Sequence, residues 1–249
     1  FWANKWADLL QCNSENLGQK SVWLYRNWIR QQVADNVPYD KFVRTLLTAK
    51  GSSYENPAVN YLRVLREPGK MTEDVTQTFL GVRFNCNKCH DHPFEKWTQD
   101  DYYGTAAAFT RVGRKETGLP DDEMIFVKAG GEVTQPRTGK QMKVRLLLEG
   151  DVDVPADQDR RVVFANWLTN NSNPFFAKSL SNRIWGYAQH RKIPHGPHRL
   201  AVELQRLVHR VEEAFGRVER EEGRVHDPRH GVQVRERPGV GIAAVDVDS

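Results

Sequence analysis

The chain has 249 residues, a formal net charge of +4 and 39% hydrophobic residues, enough to bury a core in one large domain or two small ones. Charges of both signs are mixed along it, with no basic stripe interleaved with aromatics, so nucleic acid is not an indicated partner. No apolar run approaches the roughly 18 residues that a membrane span needs, and three cysteines are too few for a disulfide scaffold. The chain begins at Phe1 within an amphipathic pattern, as a fragment would. Trp2, Trp6, Leu9 and Leu10 recur at helical spacing. Residues 21–35 carry Val22, Tyr25, Trp28, Ile29 and Val33 on one face, with Ser21 predicted as the cap. Residues 38–50 follow as a helix facing inward through Phe42, Val43, Leu46 and Leu47. After a polar loop at 51–53 comes a short helix, 57–66. Aromatics at this spacing are read as core rather than as a cofactor cage.

The next helix is predicted over 72–84, with Thr72 as N-cap and Glu73 and Asp74 in its first turn. It runs into Cys86-Asn87-Lys88-Cys89-His90-Asp91-His92-Pro93. Cys-x-x-Cys-His is the attachment signature of haem c: two thiols one turn apart bond the porphyrin, and the adjacent His90 ligates the iron. The sixth ligand is open, and Met71, Met124 and Met142 are the only methionines. A second reading makes Cys86, Cys89, His90 and His92 a soft zinc or iron site, although four ligands within seven residues are cramped. A third is a redox-active or disulfide-bonded Cys-x-x-Cys. Cys12 stands apart and is read as a half-buried small residue.

Past a turn at 93–97, Thr98 and Asp101 form a capping-box pattern that opens a helix through Tyr102, Tyr103 and 106–109; helix start accounts for Asp100 and Asp101 better than an acid pair does. From Gly113 the texture changes to short β runs at 124–127 and 143–148, separated by glycine and proline turns. An acidic connector at 151–157 precedes helices opened by Asp159 and covering 175–187. After Tyr187 the only aromatic is Phe215, Arg outnumbers Lys ten to one, and six of the eight histidines occur. That composition reads as a poorly ordered or out-of-frame tail.

The expected architecture is therefore mainly α with a small β-hairpin insertion, a helical domain around the Cys-x-x-Cys-His segment. It divides into 1–112 (helical, cytochrome-c-like), 113–157 (β-rich insertion and linker), 158–187 (start of a second helical domain) and 188–249 (atypical tail). No nucleophile elbow, phosphate loop or His-Glu-x-x-His is present, so enzyme status stays open.

Residues 79–94, which hold the cysteine motif, together with 97–103, closely resemble the planctomycete cytochrome-c-linked domain of unknown function, second type (PSCyt-two). So do 38–44, 47–52 and Glu132-Val133 with 136–140. Asp159-Arg160-Arg161, Trp167-Leu168-Thr169, 173–177 and 182–185 resemble the start of its usual partner domain (PSD-one), cut short because the expected Gly-Arg-Gly and Pro-x-Asp-Asp do not follow Trp185. The resemblance implies an exported, periplasmic-type protein with a redox partner or a linked cytochrome c domain. It implies no particular activity.

Overall fold

Two long amphipathic helices organise the core in the computed structural model, which describes residues 1–189. Helix α1 spans Trp2–Leu9, α2 Ser14–Leu17 and α3 Gln19–Ala34, with Tyr25 and Ile29 of α3 fully buried. Helix α4, Tyr39–Thr48, buries Phe42, Val43, Leu46 and Leu47 at the spacing that places them on one stripe. The large aromatics are core: Trp28 stacks on Phe42 at 5.4 Å, and Trp6 meets both Tyr39 and Phe42 at 5.5 Å.

A 3-10 turn, Pro57–Val59, leads into α5, Asn60–Val64, and then α6, Pro68–Val75, whose Pro68 supplies the preset first turn. The predicted 72–84 helix is corrected here in two ways. Thr72 lies inside α6 and its hydroxyl donates back to the Pro68 carbonyl at 2.9 Å, so it caps nothing. The helix then widens into a π turn, Thr76–Leu80, and stops at Gly81, whose φ of +71° closes it. Ser21 is likewise no cap: α3 starts two residues earlier, and the buried Ser21 hydroxyl donates to the Asp121 carbonyl at 3.0 Å.

After a 3-10 turn, Asn85–Lys88, come α7, Gln99–Ala106, and the β segment. Strand β1, Gly51–Ser52, pairs antiparallel with β3, Glu123–Val127, which pairs with β2, Val112–Glu116 (order β1-β3-β2). Strands β4, Val144–Leu146, and β5, Gly150–Val152, form a separate hairpin in register Val144 to Val152. Helix α8, Arg160–Leu168, is tied to the end of α4 by the buried Arg161, which donates to the Ala49 carbonyl at 2.9 Å. Helix α9, Phe176–Gln189, lies against the π turn, where Arg183 donates to the Thr78 carbonyl at 2.9 Å. The fold is mainly α with small antiparallel sheets. The unusual tail lies outside the described residues. Among the described residues no helix is long and apolar enough to cross a membrane.

The sheet edge holds a buried carboxylate. Asp122 accepts from Ser53 at 2.7 Å, Thr117 at 2.7 Å and Ser52 at 2.9 Å. Burial pushes its carboxyl up, but the hydroxyl donors outweigh it and hold the group below the usual carboxylate range. A depressed folded value means stability present above the unfolded value near pH 3.9 and lost as pH falls through the folded value. Urea unfolding at stepped pH is expected to show a steeper acid loss for the wild type than for Asp122→Asn. Parallel curves would sink this assignment.

A candidate cysteine and histidine turn

The motif is built as one helical turn. Phe84, fully buried, packs edge-on against Trp97 at 5.9 Å and delivers the chain into the 3-10 turn Asn85–Lys88. The Cys86 carbonyl accepts from both the Cys89 and His90 amides at 3.2 Å, so residues 86, 89 and 90 stand at i, i+3 and i+4. Cys86, Cys89 and His90 are exposed, whereas Asn87 between them is fully buried. The Asn87 Nδ2 donates to the Trp97 carbonyl at 2.7 Å, and the His92 amide donates to that same carbonyl at 2.9 Å, closing the loop. The buried Asn87 Oδ1 has no partner among the described residues.

Helix α7 braces the loop from behind. Its capping box is formed: the Asp101 amide donates to Thr98 Oγ1 at 3.2 Å and the Thr98 amide donates to the Asp101 carboxylate at 2.8 Å. Asp91 accepts from the Gln99 amide at 2.8 Å, a carboxylate at a helix start. Gln99 Nε2 and the Tyr103 hydroxyl both donate to the Lys88 carbonyl, at 3.1 and 3.0 Å. Thr98→Ala is expected to cost about 1 kcal/mol in denaturant unfolding and to speed amide exchange at His92. An unchanged exchange rate would show that the cap does not hold the loop.

The two histidines have different surroundings. His90 is exposed, with Nδ1 2.7 Å from the Asp91 carbonyl. His92 turns into its own loop, where Nδ1 accepts from the Phe94 and Glu95 amides at 3.2 and 3.0 Å. The four-ligand set Cys86, Cys89, His90 and His92 is thus not gathered, and among the described residues no group of three or more His, Cys, Asp or Glu could hold a metal ion. Both cysteines of the turn are free thiols. Cys12 is half-buried against the Val22 carbonyl, and burial pushes its thiol up to about 11, which makes it unreactive. Of the methionines, Met71 and Met142 are buried in the core and Met124 lies on β3. Trp97 belongs to the core, while Phe94 is 92% exposed at the loop tip.

A hollow of about 360 Å³ opens beside the turn, walled by Pro68, Gly69, Tyr102, Tyr103 and Val133 and reaching Lys88. Burial, and then the nearness of Cys89, raise the Tyr103 hydroxyl above its ordinary value. Sequence reading did not find Asn87, Gln99 and Tyr103. Their roles depend on contacts to backbone carbonyls, which leave no spacing signal.

Fold and turn together define a mainly helical domain that presents two cysteines and a histidine on one outer face. Residues 1–114 match the family model described as PSCyt2, protein of unknown function (DUF1549), and this part of the chain is a domain of that planctomycete family. The match ends at residue 114, so the partner-domain likeness from Asp159 onward is no part of it. No curated protein and no solved structure matches the chain.

Proposed function

We propose that Cys86 and Cys89 hold a haem c covalently, with His90 as axial ligand, in an exported domain that transfers single electrons or senses redox state. One observation carries the reading: the two thiols and the imidazole project from a single helical turn while Asn87 anchors that turn from inside. The donor set suits the group, since thiols form the attachment and a neutral imidazole the ligand bond. When bound, haem supplies one-electron chemistry at a potential set by its ligands and burial. The protein's own part is to fix the turn and leave its outer face open to a partner protein or a linked cytochrome c domain. Phe94 offers that partner an apolar contact beside Lys88 and Lys96, all three being exposed.

The test is expression of the full chain in a host with haem c maturation and export, followed by a denaturing gel stained for haem peroxidase activity. A stained band that is absent in Cys89→Ala is the expected result. An unstained protein carrying stoichiometric zinc or iron would replace this reading with the bare metal site. An unstained, metal-free protein whose thiols react only after reduction would replace it with the disulfide.

A further inference from the structure

We propose that the cavity on the other side of the turn is a binding site for a neutral polyol of monosaccharide size. This cavity, about 320 Å³, lies where the loop after α1, helix α6, the π turn and Asn85 converge over an apolar floor of Val64 and Leu65. The volume is at the lower end for ligand pockets, which suits a single sugar ring.

Two departures from regular structure and one buried carboxylate meet here. Gln11 has a left-handed backbone, φ +54°, a conformation that costs a non-glycine residue about 1 kcal/mol or more. Its Nε2 donates to Asp74 Oδ1 at 2.6 Å. The π turn inserts one extra residue, a device frequent at functional sites, and carries Gln77 in the cavity wall. Asp74 is a largely buried carboxylate with no ion-pair partner in contact among the described residues, oriented by the Tyr61 hydroxyl at 2.7 Å and by Gln11. Burial raises its carboxyl above the ordinary value.

The ligand class follows from the lining. Lys70 and Glu73 pair with each other at 3.0 Å, and Glu73 also accepts from the Tyr102 hydroxyl at 3.0 Å. That leaves Asp74, which makes no direct ion pair among the described residues and is offset only by the nearby charge of Arg183, as the acid that disfavours anions. Its two oxygens are already engaged by the neutral Gln11 and Tyr61 donors, which leaves little for a cation to bind. What stays uncommitted are amides: the Gln77 and Asn85 side chains make no hydrogen bond among the described residues, and Gln11 retains its carbonyl oxygen. Amides both donate and accept, as hydroxyl groups do. The inference does not rest on what Cys86 and Cys89 hold.

Isothermal titration of the full chain with D-glucose, D-galactose, D-mannose, L-fucose and myo-inositol tests it, with putrescine and phosphate as charged comparators. At least one polyol is expected to bind at millimolar affinity or tighter, with about tenfold weakening in Gln77→Ala and at least as much in Asp74→Asn. Gln77 is exposed, so its variant decides the matter even where Asp74→Asn fails to fold. Binding by none of the five polyols overturns the proposal. So does polyol binding that Gln77→Ala leaves unchanged, or binding confined to putrescine or phosphate.

Discussion

Arg63→Leu is expected to destabilise the protein by about 3–5 kcal/mol, the cost of removing one member of a buried charged network. Arg63 is 4% exposed and joins elements distant in sequence. Its Nη1 donates to Asn60 of α5 at 2.8 Å, to Ser21 of α3 at 3.0 Å and to Ser53 next to β1 at 3.2 Å, while Nε meets Glu123 of β3 at 3.1 Å. Glu123 keeps Arg66 at 2.7 Å, so most of the loss falls on the neutral acceptors. Each buried group left unsatisfied costs about 1–3 kcal/mol. Arg66→Leu is the control: Arg66 is largely exposed, and its pair is worth about 1 kcal/mol or less. Urea unfolding of both variants measures the difference. Equal losses would mean that Arg63 does not tie the helices to the sheet.

The second large effect separates the two histidines of the turn. On the proposed haem reading, His90→Ala removes the imidazole while both thiols remain, and the reducible haem spectrum of the chain expressed in a haem c-maturing host is expected to disappear. His92→Ala is expected to keep that spectrum, because His92 Nδ1 is occupied by the Phe94 and Glu95 amides. Its cost is loop stability, about 1 kcal/mol. A metal site built on all four side chains differs at His92, since both substitutions then release the metal. Spectra of the two purified variants, with elemental analysis alongside, distinguish these outcomes.

Local signals were the legible ones. The stripes of α3 and α4 follow helical spacing, and the Thr98–Asp101 box was readable although Asp stands where Glu is usual, because both partners lie within one turn. The cysteine turn was readable for the same reason. Ser21 and Thr72 misled because a residue that favours caps can equally spend its hydroxyl inside a helix, on the Asp121 and Pro68 carbonyls here. The π turn left no trace in the pattern: Val75 and Phe79 remain buried at i and i+4 with the extra residue in place. Strand β1 has two residues and depends wholly on its partner β3. The polar cavity was invisible since Gln11, Asp74 and Asn85 come from separate segments and meet only through the fold.

The covalent state of Cys86 and Cys89 decides the central claim. Intact-mass measurement under denaturing conditions, on the full chain exported from a haem c-maturing host, reads it directly. The expected result is a mass raised by one haem, with the increase confined to the peptide containing Cys86 to His90. An unmodified mass with both thiols open to alkylation would contradict it.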